Sequence, residues 1–340
     1  MNTLKYILLS LISLVLIFAG YGYFQDKEVS VSRSIVINAP MDDVFDQFNN
    51  IEKRVKWSPW EAMDSTMVVT VGEVSKGSGA SYSWTSENSG NGTIIYKEVV
   101  PNQLIESKLY FGSMEEEPSQ GLMIFTEVGD GSQVTWEVHM DMGNNPFMRI
   151  FGRFMDDMVG TTFENGLEAV KQVCETNAKE TADKMASIEI IKSEVESKPY
   201  IGILDSCAMD ELGNRIANNY GALGAYLGEH SLQPAGFVRI IYHTYEPPSK
   251  VVFEPLFIIS NPISVTDDRI HASSTYGGKV ITATHIGSYE TSGMVWEAMD
   301  AYLKNHNLEM NGMPWEEYEN TPRDEPDPNK LITHIYMPIK

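Results

Sequence analysis

The chain has 340 residues, more than one hydrophobic core usually organises, so two globular units are expected. Its 47 Asp and Glu against 25 Lys and Arg give a formal net charge of -22, which repels phosphate backbones and excludes nucleic acid as a partner. Cys174 and Cys207 lie far apart without metal-type spacing, so they define neither a zinc site nor a disulfide framework.

Residues 6–24 read YILLSLISLVLIFAGYGYF, a run without charge. At ~1.5 Å per residue it nearly crosses a ~30 Å hydrocarbon layer. Lys5 precedes it and Asp26, Lys27 and Glu28 follow, a weak positive-inside signal that leaves the N-terminus cytoplasmic and the rest extracytoplasmic, in the periplasm. A cleaved signal peptide is the rival reading, but the run is long for one and no good Ala-x-Ala site follows. Residues 1–27 are therefore expected to be a membrane anchor.

VSVSRSIVIN (29–38) then alternates at period two, as a half-buried strand does. After Ala39-Pro40, Val44, Phe45 and Phe48 recur at helical spacing. The segments DSTMVVTVGEV, GASYSWTS, GTIIYKEVV, QLIESKLYFG, GLMIFTEV and SQVTWEVHM follow, separated by turn formers, and predict an antiparallel meander. A stripe at Phe147, Ile150, Phe151, Phe154, Met155 and Met158, continued by Phe163, Leu167, Val170 and Val173, predicts one long amphipathic helix packed on that sheet.

The string VSRSIVINAPMDDVFDQFNNIEKRVKWSPWEAMDS, with SGASYSW, NGTIIYKEVVPNQLI and FMDDMVGTTFENGLEAVK, resembles the START-like polyketide-cyclase/dehydrase superfamily (SRPBCC) over residues 28–175. The resemblance implies a helix-grip domain holding an apolar ligand between sheet and helix. Trp57, Trp60, Tyr82, Trp84, Phe111, Trp136 and Met158 are candidates either to line that interior or to fill it.

TNAKETADKMAS (176–187) is polar and reads as a helix tail and linker. Beyond it, AYLGEHSLQPAGFVRIIY (225–242) aligns without gaps to AYLKNHNLEMNGMPWEEY (301–318) at a constant offset of 76, with seven identities in eighteen positions. Each copy has a strand (IEIIKSEV or GGKVITATHIG), a helix, a glycine (Gly236 or Gly312) and two strands. Two such βαββ units predict a pseudo-two-fold domain with its helices on one side, leaving the open side or the seam for a ligand. The fold class expected for the whole chain is α+β: membrane helix, helix-grip domain, then the duplicated domain.

That layout, with HIGSYE (285–290), PWEEYENTP and LITHIYMPI, resembles the GyrI-like, or AraC-type effector-binding, domain over residues 188–340. The resemblance implies a small-molecule pocket with an acid and aromatic rings, and hydrolysis of electrophilic molecules in some members. It places the family's aromatic, Glu and Tyr on Trp315, Glu316 and Tyr318. The repeat pairs Glu316 with Ile240, Glu317 with Ile241 and Tyr318 with Tyr242. On a strand, Glu316 and Tyr318 share a face that Glu317 leaves, so Glu316 is the acid expected in the pocket, and Glu317 and Glu319 are expected to be solvated.

Among Tyr200, Tyr242, Phe253, Tyr289, Trp296 and Tyr336, most read as core, and Tyr289 and Trp296 are retained as ligand-binding candidates. Trp296 shares its repeat position with Tyr220, which favours packing, and His285 reads as a strand-end histidine bonded to backbone. No nucleotide, phosphate or metal motif occurs, so neither cofactor nor metal is expected. The function implied is binding of an apolar or amphiphilic ligand, cations included, by a membrane-anchored protein. The alternatives are a hydrolase using Glu316 and Tyr318, and an envelope protein-interaction module.

Overall fold

The computed structural model describes residues 2–112, 117–246 and 250–340. It divides into two units, Met1–Thr181 and Ala182–Lys340.

The first unit opens with α1 (Asn2–Tyr23), whose apolar side chains are exposed along its length. Its segment Lys5–Tyr23 is long and apolar enough to cross a membrane, a property shared with signal sequences. β1 (Glu28–Ile37) buries Val31 and Ile37. Pro40 starts α2 (Met41–Asn49), which turns Val44, Phe45 and Phe48 inward. Asn50 ends α2 and begins α3 (Ile51–Trp57), its side chain accepting from the backbone N–H of Glu52 at 2.9 Å and of Lys53 at 3.3 Å. The short α4 (Pro59–Met63) follows.

Six strands complete the sheet: β2 (Val68–Val71), β3 (Ser81–Ser86), β4 (Gly90–Val100), β5 (Leu104–Phe111), β6 (Ser119–Val128) and β7 (Gly131–Asp141). All pairs are antiparallel in the order β1-β7-β6-β5-β4-β3-β2. The first strand closes the meander by pairing with the last, Val31 opposite Val138.

The predicted single helix is two: α5 (Pro146–Gly152), capped by Asn145, and α6 (Met155–Ala186). Tight turns at Arg153 and Phe154, whose N–H groups bond Ile150 and Phe151 carbonyls, break the stripe between them. Only its second half packs on the sheet. Phe163, Leu167 and Val170 are buried, and the Phe163 ring stacks on Trp136 at 4.3 Å and 8°. Phe147, Phe151, Phe154 and Met158 are exposed, and α5 packs mainly on α1, with only its last residue, Gly152, against Val29 of β1. The expected linker is helical as far as Ala186, since its Ala, Lys and Glu residues favour helix even without an apolar face.

The second unit contains β8 (Ile191–Val195), β9 (Pro199–Gly202), β10 (Asp205–Cys207), α7 (Leu212–Glu229), β11 (Val238–Glu246) and β12 (Lys250–Ile258). Then come β13 (His271–Ser274), β14 (Gly278–Ile286), α8 (Gly293–Asn305), β15 (Trp315–Tyr318) and β16 (Ile332–Pro338). The sheet order β13-β9-β12-β11-β15-β16-β14-β8 reads alike from either end, with β10 also on β12.

One repeat assignment needs correction. IEIIKSEV is not the first strand of the first copy, because β8 crosses over to pair with β14 of the second. β9 takes that place beside β12, as β14 does beside β16. β13 makes the reciprocal crossing onto β9, so each half lends the other an edge strand.

The sequence identities between the copies mark helix ends. Tyr226 stacks on His230 at 4.0 Å and Tyr302 on His306 at 3.9 Å. Ser231 and Asn307 then adopt left-handed φ of 53° and 49°. α7 packs Leu223 and Leu227 on Ile201 and Ile259, and α8 packs Val295 and Met299 on Ile281 and Ile335.

Leu167→Ala should therefore lower stability by ~2–5 kcal/mol in urea unfolding of detergent-solubilised protein. Met158→Ala, on the exposed part of the same stripe, should change it by no more than ~0.5 kcal/mol.

Candidate functional site

β11 and β15 lie side by side at the pseudo-two-fold axis, with Ile240 opposite Glu316 and Val238 opposite Tyr318. At the central pair, equivalent residues of the two copies face each other, and there one copy supplies isoleucine and the other a carboxylate. Strand alternation turns Glu316 and Tyr318 towards the helices. Ile240 and Tyr318 pack with Leu212, Ile216 and Tyr220 of α7, and Ile335, opposite Glu316 on β16, packs with α8.

Glu316 is 6% exposed. Its Oε1 accepts the indole N–H of Trp296 at 3.0 Å. Its Oε2 accepts the hydroxyl of Tyr242 at 2.9 Å and that of Tyr318. All three donors are neutral, and among the described residues no cationic side chain forms an ion pair with Glu316. The rings pack edge to face, Tyr242 on Trp296 at 5.9 Å and Tyr318 on Tyr289 at 5.3 Å. Tyr289, 41% exposed, is the outermost of these rings.

Burial, and then the nearby Glu316 charge, push the phenols of Tyr220, Tyr242 and Tyr318 well above their ordinary range. Tyr289 is raised for the same reasons. The site thus keeps its phenols protonated as donors around one carboxylate.

Four of the five site residues named from the sequence, Glu316, Tyr318, Trp296 and Tyr289, meet here. Trp315 does not. One position earlier on β15, its ring turns to the opposite face and stacks on Tyr336 at 4.9 Å and 10°. Tyr242 completes the carboxylate's donors, and Tyr220, read from the repeat as packing, lies close enough to feel the Glu316 charge.

The opposite face carries a charge network that sequence reasoning missed. Glu317, expected in solvent, is buried and pairs with Arg239 Nε at 2.5 Å, because Arg239 stands directly opposite it on β11. Glu254, 3% exposed, accepts from the Tyr200 hydroxyl at 2.5 Å. The Nε2 atoms of His243 and His271 lie 2.8 and 2.9 Å from its two oxygens. A cleft of about 190 Å³ beside it is lined by Tyr200, Arg239, His243, Glu254, Tyr276 and Trp315 among others. The available signal was a lone acid inside the apolar strand KVVFEPLFI. Glu319 is half-exposed beside His334, and His285 bonds the Ser288 carbonyl at 2.9 Å.

In the first unit, Trp57, Tyr82 and Trp136 fill the interior, whereas Phe111 and Met158 lie outside it. Among them Arg54, 3% exposed, donates to the Tyr96 hydroxyl at 2.8 Å, and that hydroxyl donates to the Phe48 carbonyl at 2.6 Å. Its guanidinium lies 5.4 Å from the Trp136 ring and 5.8 Å from those of Tyr82 and Tyr96. Burial pushes the Tyr82 phenol up to about 12, against the opposing pull of Arg54.

Residues 28–175 match the family described as polyketide cyclase / dehydrase and lipid transport, and residues 188–340 match the GyrI-like small molecule binding domain. The two matches fall on the two halves of the expected fusion. No curated protein matches the chain. Among solved structures, the EcmrR–DNA complex in EcmrR-RPo is 10% identical, with a TM-score of 0.43 over 57% of this chain and 72% of that one. Ms6760 from Mycobacterium smegmatis is 14% identical (TM-score 0.34; 44% and 92% covered). A hydrolase from Listeria innocua is 11% identical (TM-score 0.34; 48% and 98% covered). At these values they say nothing of this chain's activity.

The tyrosine shifts carry a sign. A phenol whose pKa is raised by folding leaves stability intact below its ordinary value of 10.0. Above it the unfolded chain ionises first, and each such tyrosine should remove about 1.4 kcal/mol of stability per pH unit. The urea midpoint should accordingly fall steeply above that pH, and Tyr220→Phe should make the fall shallower.

Proposed function

We propose that this fusion of a polyketide cyclase/dehydrase and lipid transport segment with a GyrI-like segment is a membrane-anchored binding protein for amphiphilic small molecules, lipophilic cations in particular. Residues 1–27 anchor it, residues 28–175 form the helix-grip domain, residues 176–187 link, and residues 188–340 form the effector-binding domain. The globular part lies outside the cytoplasm, in the periplasm. An apolar ligand would enter the START-like interior only by displacing Trp57, Tyr82 or Trp136, which fill it.

One observation carries the reading: the buried Glu316 carboxylate is surrounded by aromatic rings and neutral donors and has no cationic partner among the described residues. Burying an anion without a counter-charge is costly, and phenol O–H and indole N–H groups offset only part of that cost. A cation whose shell is apolar supplies the missing charge. The Trp296 N–H and the Tyr242 and Tyr318 hydroxyls hold the carboxylate in place, and their rings supply apolar surface beside it. Tyr289, the outermost ring, would cover the ligand once bound. Trp315 takes no direct part, since its ring faces away.

A second reading has its own support. The Tyr318 hydroxyl bonded to the Glu316 carboxylate pairs a proton donor with a base, which suits hydrolysis of an electrophilic molecule. The two readings differ in whether the ligand survives.

Tetraphenylphosphonium added to the detergent-solubilised full chain should raise the unfolding midpoint, equivalent to ~2.7 kcal/mol at a hundredfold excess over Kd. Glu316→Gln should abolish the shift while leaving circular dichroism unchanged. An equal shift in that variant overturns the reading. Turnover of an added ester or epoxide that requires Glu316 supports the hydrolase instead, and no shift with any compound favours an interaction module.

A further inference from the structure

We propose that α5 and the first turn of α6 lie in the lipid–water interface beside the anchor, as a second contact that holds the first unit against the membrane. The proposal rests on the reading of α1 as an inserted helix and adds the surface that lies on the bilayer.

Phe147, Phe151, Phe154 and Met158 recur at helical spacing and are 43–55% exposed, with Met148 beside them at 45%. An apolar stripe of this kind normally faces a core, and here the sheet covers only its continuation from Phe163 onward. The exposed part runs on from the equally exposed apolar surface of α1, against which α5 packs.

The level of that contact identifies the occupant. Gly22 touches Pro146 so closely that a Cβ there would collide with the Pro146 carbonyl. Arg149 donates to the Tyr23 carbonyl at 3.0 Å, with its guanidinium 5.8 Å from the Tyr23 ring. Arg153 donates to the Tyr21 hydroxyl and to Gln25 Oε1, each at 3.0 Å. α5 is therefore fastened to residues 21–25, where the apolar run gives way to Gln25 and Asp26. With Lys5–Tyr23 able to span the hydrocarbon, these residues reach headgroup depth, where Tyr21, Tyr23 and Phe24 form an aromatic belt. A helix fixed there with its apolar side chains outward meets acyl chains, not water, while Arg149 and Arg153 stand at the level of lipid phosphates. The acids beginning α6 do not cancel this. Asp156 is paired with Arg33 at 2.9 Å, and among the described residues Asp157 is the acid in that turn without an ion pair.

The test uses the full chain in phosphatidylcholine/phosphatidylglycerol vesicles, with single spin labels on Leu14→Cys, Phe151→Cys and Val128→Cys. The unsubstituted chain, whose Cys174 and Cys207 are buried, gives the background. Val128 ends β6 beside the Ile37 end of β1, one strand length from the anchor. Labels at 14 and 151 should both relax with dissolved oxygen and be shielded from a water-soluble nickel chelate, and the label at 128 should show the reverse. A label at 14 in lipid with one at 151 open to the chelate overturns the interfacial contact and leaves the anchor standing. A label at 14 open to the chelate overturns both. Met158→Cys gives the same reading should Phe151→Cys fail to fold.

Discussion

The second unit is organised around one carboxylate at its pseudo-two-fold axis. A duplicated domain whose equivalent residues face each other at its central pair can place two like groups there or break the symmetry. Two glutamates opposite one another would repel in a low dielectric, whereas one glutamate facing Ile240 leaves a single anion for neighbours to satisfy. The neighbours follow from that asymmetry. Trp296 uses its N–H on the acid, while Tyr220, its counterpart in the other copy, spends its hydroxyl on the Arg239 carbonyl at 2.7 Å. One repeat position thus became a site residue in one copy and a strand tie in the other.

Strand alternation then sorts the remaining charges. β15 sends Glu316 and Tyr318 to the helices, and sends Trp315 and Glu317 to the other face, where Glu317 finds Arg239 and Trp315 finds Tyr336. Both acids are buried, but they are unlike in kind. Glu317 is neutralised by a guanidinium whose planar fork suits a carboxylate, and Glu254 nearby is shared between two imidazoles and a phenol. Among the described residues Glu316 has only neutral donors, and a recognition reading needs that distinction, since an acid already paired with a cation gives little to a ligand.

Much of this was legible in the sequence. Period-two alternation located the meander, the offset of 76 exposed the duplication, and the same alternation separated Glu316 from Glu317. What escaped depends on partners distant in sequence. Glu317 looked solvated because nothing near it in the chain announces Arg239, and His243 and His271 gain meaning only when the sheet brings them to Glu254. The crossing of β8 onto β14 escaped because strand pattern states that a strand exists, not which edge it joins. The stripe on α5 and α6 meets the sheet as expected from Phe163 onward, and its part from Phe147 to Met158 does not, since periodicity says that a face is apolar and not what covers it.

The two units solve opposite problems with the same materials. The first buries a cation, Arg54, among Tyr82, Tyr96 and Trp136, and the second buries an anion, Glu316, among Tyr242, Tyr318 and Trp296. Aromatic residues suit both because ring faces are negative while phenol and indole N–H and O–H groups are positive. Around Arg54 the faces are turned inward and one hydroxyl accepts; around Glu316 the hydroxyls and the indole N–H are turned inward. The sign of the buried charge therefore selects the orientation of the rings more than their identity. This is why composition alone, with aromatic residues in both units, does not say which of them surrounds a carboxylate, whereas the direction of three hydrogen bonds does.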